Sequence, residues 1–369
     1  MKQQIINHIE EIKEDLFSLS SNLYQGNFKK DVIGISEYLL KRQGFECSRV
    51  PFGDFFIIKG EKKGGKGPTI AFFYYYTFEP ELKEEWNIRM ATPMSIGAAL
   101  GLASVLEELG GNIVIFGCPW NQENLLIEQN LLNGIDGAIL LKSGSQSCES
   151  GCSVNIHHMQ VDFHGEKSIN GQYTNALHGV IQCFNGIFTL KESLPSSIQL
   201  EGIITEGGKI PEEIPIKASA SFSISGPHKD TLNEIITDLE NCAKGAALQT
   251  GTEVIIHYEE SHYDCFNTNV SLNRLFCHNL KEVGLIDIHG PEENEVTLKA
   301  GNISHQVPSI CPCVGIGQDQ ELSSEVQENI LKGSQAAAFT AFDMISNQNL
   351  FKEIKKEFKK KSIKNLKIY

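Results

Sequence analysis

The sequence predicts an α/β protein: a three-layer domain interrupted by an inserted α+β (ferredoxin-like) unit. Three observations carry this. Segments 69–76 and 112–118 are short, continuous apolar runs, the pattern of strands buried on both faces. Helical patterns alternate with them in the order strand, helix, strand, helix, strand. After Lys142 the pattern changes, and the α/β character returns only near residue 267. The expected domains are therefore 1–155 plus 265–369 for the larger one and 156–264 for the insertion.

The elements follow in order. Ile5, Ile9, Ile12, Leu16 and Leu19 recur three or four apart with Glu10, Glu11, Glu14 and Asp15 between them, which predicts an amphipathic helix. A second helical pattern runs over 31–42 and stops at Gly44, and 45–50 and 55–59 read as strands. The stretch 95–109 is rich in Ala, Gly and Leu, and Gly110-Gly111 stops it as a helix. A helix over 125–133 and a strand over 137–141 follow. Residues 143–153, rich in Ser, Gly and Cys, read as a loop. The insertion then reads β-α-β-β-α-β over 155–164, 174–192, 198–205, 214–224, 229–248 and 253–259. A helix to Val283, a buried segment 313–316 and a long helix 325–346 complete the larger domain.

Composition narrows the function classes. The 369 residues carry 32 Lys+Arg and 46 Asp+Glu, a formal charge of −14, which disfavours a nucleic-acid partner. No apolar run reaches the roughly 18–20 residues of a membrane span, and the start lacks a secretory pattern, so a cytoplasmic protein without a membrane partner is expected. The exception to the acidic balance is 349–369, with eight Lys and two Glu. Leu350, Phe351, Ile354, Phe358, Ile363 and Leu366 interleave these lysines at helical spacing, as in a docked helix or a membrane- or partner-binding tail.

Several strings, in this order, carry a family resemblance. They are Gly67-Pro68-Thr69-Ile70-Ala71, Ile96-Gly97-Ala98-Ala99-Leu100 and Gly110-Gly111-Asn112 through Cys118-Pro119. Asn175-Ala176-Leu177, Gly207-Gly208 before Ile214-Pro215, and Gly301-Asn302-Ile303-Ser304 before Val307-Pro308-Ser309-Ile310 continue them. Together they resemble peptidase family M-twenty, the aminoacylase and carboxypeptidase type of dinuclear zinc amidohydrolase, and within it the aminobenzoyl-glutamate hydrolase-like or dipeptidase-like branch. The resemblance implies a zinc-peptidase-like α/β domain, two zinc ions, and an inserted lid that commonly dimerises. Paired zinc ions polarise a carbonyl and activate a bridging water while a carboxylate takes its proton. They need thiolate, imidazole or carboxylate ligands.

Carried over by position, that ligand set is missing. The metal-ligand Asp of the acidic strand end falls on Thr77, and the ligand Cys and His before the next helix fall on Ala91 and Pro93. The general base and the carboxylate ligand fall on Asn121 and Gln122, with Glu123 next to them as a lone carboxylate. Lys142 and Leu322 take the places of two His ligands, and the lid's substrate-contacting His and Arg fall near Ile169 and Ser225. The resemblance thus implies a degenerate member that uses no cofactor. It would be a pseudoenzyme binding a small amide or amino-acid-like ligand, or a partner subunit, as a homodimer or heterodimer through the lid.

An active amidohydrolase or dipeptidase with a rearranged metal site, or with Cys118 as nucleophile, is the alternative. Cys118 lies at a strand end, where open α/β sheets bind ligands, and His305 or His157 would serve as base; as a small core residue it would do neither. Arg89 and Lys142 are candidates to hold a ligand carboxylate, or structural charges paired with Asp or Glu. Trp120, Tyr76 and His305 are further ligand-binding candidates, and Trp86 and the aromatic run 72–78 line a pocket or the core. Cys148, Cys152 and His157, and separately Cys311 and Cys313, are loose metal-ligand groupings or buried thiols.

Overall fold

The computed structural model describes residues 1–25, 31–77, 89–120, 122–166, 173–258, 263–291, 293–295, 300–317 and 322–366. The chain forms two compact units: unit 1, Met1–Cys152 with Phe266–Glu293 and Leu298–Tyr369, and unit 2, built on Ser153–Cys265.

Unit 1 opens with α1 (Lys2–Glu11), α2 (Lys13–Tyr24) and α3 (Asp31–Arg42), then β1 (Glu46–Phe52), β2 (Phe55–Lys63) and β3 (Thr69–Thr77). The single N-terminal helix expected from periodicity breaks at Ile12, which is buried between α1 and α2. Next come α4 (Ala91–Ala103), α5 (Leu106–Leu109), β4 (Asn112–Pro119), α6 (Asn124–Glu128) and β5 (Gly137–Ile139). The expected loop after Lys142 instead holds β6 (Lys142–Gly144), β7 (Ser147–Cys148) and β8 (Cys152–Ser153), strands too short to show any periodicity.

Unit 2 contributes β9 (Asn155–Gly165), α7 (Ala176–Ser193), β10 (Gln199–Glu206), β11 (Lys217–Gly226), α8 (Lys229–Thr250) and β12 (Thr252–Tyr258). The chain continues with α9 (Val270–Glu282), β13 (Ile288–His289), β14 (Glu293–Glu295), α10 (Gly301–Gln306), β15 (Ser309–Ile310), β16 (Cys313–Gly315), α11 (Ser324–Ser346) and α12 (Gln348–Leu366).

The main sheet of unit 1 has the order β1-β2-β4-β3-β5-β15. β4, β3, β5 and β15 run parallel, and β2 joins β4 antiparallel. Side chains of β3 and β4 alternate between two cores: Ile70, Phe72, Ile113 and Ile115 enter one, and Ala71, Phe73, Val114 and Phe116 the other. That double burial is why both strands read as unbroken apolar runs.

α4 is buried along its whole length, which fits a helix that is apolar all round. Its glycines let neighbouring helices close in. A β-carbon on Gly97 would stand 2.6 Å from Ser334 Oγ of α11, and one on Gly101 2.7 Å from Ile9 of α1. The helix begins at Ala91, four residues earlier than its composition suggests, and Pro93 sits in the first turn, where a missing N–H costs nothing.

The basic tail is a docked helix. Ile354 of α12 is fully buried, Asn269 Nδ2 donates to its carbonyl at 3.0 Å, and Lys355 pairs with Asp136. Glu357 caps the start of α9, accepting from the amides of Val270 at 2.7 Å and Ser271 at 2.9 Å. Burial raises the pKa of this carboxyl, but the two amides, the Ser271 hydroxyl and Lys361 hold it below the usual value.

Unit 2 is an antiparallel sheet of order β10-β11-β9-β12 with α7 and α8 on one face. Met159, Val161, Phe163, Ala220, Phe222 and Ile224 point into that covered face. On the other, Asp162 gathers Gln160 at 2.9 Å, Lys217 and His257. Ile203, on the edge strand β10, is 65% exposed. Among the described residues, no helix is long and apolar enough to cross a membrane.

Candidate functional site

In an open α/β sheet the carboxyl ends of the parallel strands are where ligands are met. Here β3 and β4 end side by side, with Tyr75 in register with Cys118. Thr92, in the first turn of α4, fixes Tyr75 from behind: its hydroxyl donates to the Tyr75 carbonyl at 2.9 Å and accepts from the Tyr75 amide at 3.2 Å. The Tyr75 phenol donates to Glu123 Oε1 at 2.7 Å, and Trp120 packs edge-on against its ring at 4.7 Å between centroids. Glu123 precedes α6 and is only 2% exposed.

The electrostatics of this cluster favour holding protons over releasing them. Burial, and then the Glu123 carboxylate, push the Tyr75 phenol well above its usual value, so it stays a donor. Burial and Glu123 push the Cys118 thiol up in the same way. Cys118 is inaccessible and carries its proton, so it has neither the thiolate nor the exposure of a nucleophile; it acts as a core residue.

The other sequence candidates scatter. Tyr76 turns away from Tyr75, as neighbouring strand residues must. Its hydroxyl bridges the backbone of Phe56 and its ring stacks on Phe56 at 5.5 Å. There it lines a cavity of about 370 Å³ with Ile33, Gly34, Arg49, Asp54 and Phe55. This is an aromatic-lined pocket without Trp120. Arg49 crosses Phe56 at 4.7 Å and forms a two-pronged pair with Glu37 at 2.6 and 3.0 Å. Arg89, read from the sequence as a ligand contact or a structural charge, is 3% exposed, donates to the Leu23 carbonyl at 3.2 Å, and has its pKa pulled down by burial. It closes the end of α2.

Lys142 and His305 are half-buried, on β6 and α10. Gln122 is exposed, Ala91 and Pro93 are buried in α4, and Leu322 packs against the core. Ser225 is buried in β11, and His157 lies on β9 opposite Ile224. Asn121, Trp86 and Ile169 lie outside the described residues. Glu123 was visible in the sequence only as a neighbour of Gln122; its inward direction comes from the turn that starts α6.

A two-zinc centre does not fit these donors. The positions onto which the sequence resemblance carries its ligands present a methyl, a pyrrolidine, an amide, an ammonium and an isobutyl group, none of which is a zinc ligand. The nearby carboxylate is engaged by a phenol. Among the described residues, no group of three or more His, Cys, Asp and Glu side chains is placed to hold a metal ion, and this includes the two cysteine groupings.

No family model matches the chain. The Xaa-Arg dipeptidase of Mus musculus is 26% identical over 325 residues, spanning 80% of this chain and 74% of that protein. Its Homo sapiens counterpart is 24% identical over 321 residues, 79% and 73% of the two chains. Among solved structures, a dinuclear metal binding peptidase of the M20 family from Bacillus subtilis superposes with a TM-score of 0.64 at 12% identity, over 91% of this chain and 99% of that one. The aminobenzoyl-glutamate utilization protein of Klebsiella pneumoniae gives 0.67 at 13% identity, over 91% and 98%. Human carnosine dipeptidase 1 gives 0.64 at 9%, over 93% and 99%. The chain thus has the fold of the M20 peptidases, and along four-fifths of its length it is similar in sequence to the Xaa-Arg dipeptidase of Mus musculus.

Proposed function

We propose that this protein is a non-catalytic relative of the M20 amidohydrolases and dipeptidases that binds a small amide or amino-acid-like ligand. One observation carries the reading. At the positions onto which the family resemblance carries the metal ligands, the chain has Ala91, Pro93, Gln122, Lys142 and Leu322, and the buried carboxylate Glu123 is tied to Tyr75. Metal-activated water needs both an ion and a base, and a carboxylate held by a buried phenol is a positioned acceptor. Lys142, at a position the family resemblance gives to a metal ligand, supplies a positive charge that suits a ligand's carboxylate.

The second reading, an active dipeptidase, is favoured by the 26% identity to an Xaa-Arg dipeptidase over most of the chain. The two separate in one experiment. Protein purified without chelator is analysed for zinc, manganese and cobalt, then incubated with Xaa-Arg and other dipeptides while binding is followed by calorimetry. Substoichiometric metal, no cleavage and saturable binding support the first reading. Near-stoichiometric metal with turnover overturns it.

We also assign the protein a partner, a second copy joined through unit 2. The edge strand β10, with Ile203 and Ile204 exposed, supports this. Sedimentation of the full chain as a monomer at micromolar concentration would remove it.

A further inference from the structure

The two cysteine groupings of the sequence meet across a sheet. The second sheet of unit 1 has the order β13-β7-β16-β6, and one row of paired residues crosses all of it. His289 pairs with Cys148, Cys148 with Cys313, and Cys313 with Lys142. Paired residues on adjacent strands share a face, so an imidazole, two thiols and an ammonium group stand in line. Cys148 is 8% exposed and Cys313 9%, so both residues are largely, but not fully, screened from solvent.

Directly opposed residues of an antiparallel pair have α-carbons about 4.5–5.5 Å apart, inside the roughly 4.4–6.8 Å that a disulfide spans. Neither sulfur is in a disulfide here. The Cys313 sulfur leans toward β6, since a β-carbon on Gly144 would lie 3.0 Å from it. Closing a bond to Cys148 would take the sulfur off that contact by a step to another staggered χ1 well. The flanking groups suit thiol oxidation: imidazole is a base that accepts a thiol proton, and an ammonium group stabilises a thiolate.

We propose that Cys148 and Cys313 are a peroxide-sensitive thiol pair that closes a reversible disulfide. The Cys148 thiolate, its proton passed to His289 or solvent, attacks one oxygen of hydrogen peroxide. The O–O bond breaks, a sulfenic acid forms, and the departing hydroxide takes up a proton to become water. The Cys313 sulfur then attacks the sulfenic sulfur, forming the S–S bond and expelling a second water. Two thiols lose two electrons and two protons, and peroxide is reduced to two waters. A dithiol reductant reverses the step by exchange. The bond ties β7 to β16, so the whole of Ser153–Cys265 lies inside the covalent loop. This holds whether the protein binds or cleaves its ligand.

The test uses the full chain, treated with hydrogen peroxide, alkylated and digested for mass spectrometry. The expected result is joint loss of alkylation at Cys148 and Cys313 and a linked peptide lighter by two hydrogens that reduction separates. The linked peptide is absent from Cys148→Ser and Cys313→Ser and persists in Cys152→Ser. Oxidised wild type should also unfold at a higher temperature than reduced. Cys148 joined to Cys152, Cys313 joined to Cys311, or both thiols still alkylated after exposed Cys152 has oxidised would each overturn the proposal. Mapping the wild type alone suffices if a variant fails to fold.

Discussion

The two sheets at the centres of units 1 and 2 solve the same problem differently. In unit 1, β3 and β4 are covered on both faces, and their side chains are divided between two apolar cores. In unit 2 the helices α7 and α8 cover one face, and the other keeps Asp162, Lys217 and His257 in a polar network. The first arrangement leaves only the strand ends to meet a ligand; the second leaves a face and an edge. On the proposed function, small-molecule recognition would fall to unit 1 and association between chains to unit 2.

Four substitutions sharpen or break this contrast. Phe116→Ala, in a strand buried on both sides, should cost about 3–5 kcal/mol in urea unfolding. A cost close to that of a surface substitution would mean that the second core is loosely packed. Tyr75→Phe should cost about 1–3 kcal/mol, because it removes a donor from a buried carboxylate. Fluorescence of Trp120, which touches the same ring, should shift with it.

Glu357→Gln should cost about 1 kcal/mol at neutral pH, the size of a helix-cap loss. Glu357 is depressed in the folded state, so its stabilisation is complete above its ordinary value of 4.5 and is lost as pH falls through the folded value. Wild type and variant should converge on acidification; a pH-independent difference would show that the carboxylate charge is irrelevant. Smallest in stability is Ile203→Thr in unit 2, expected within about 0.5 kcal/mol. It should nevertheless weaken self-association in sedimentation, and no change there would move the interface off β10.

Much of this was legible in the sequence wherever burial imposes a period. The runs at β3 and β4, the α4 glycines and the β-α-β-β-α-β order of unit 2 all have that origin. Direction was harder. Period two says that Tyr75 and Tyr76 diverge, but not that Tyr75 meets Glu123 while Tyr76 meets Phe56. The sequence left Arg89 as either a ligand contact or a structural charge, and nothing local in it pointed to the Leu23 carbonyl of a distant helix, to which it donates. Register was hardest. β7 and β16 are two and three residues long, and no local pattern can announce that Cys148 faces Cys313 across the inserted unit.

The interruption of unit 1 sets an order of events during synthesis. All the strands and helices of unit 2's sheet lie in one unbroken stretch, from β9 to β12. Unit 1 needs β15, α11 and α12 before its sheet edge, its α4 packing and the α9 cap are complete. On the ribosome, the later-numbered insertion can close while the earlier half still waits for part of the cover of both its cores. For that interval, the late-coming residues that complete those cores, among them Phe276, Ile303 and Phe339, are not yet in place.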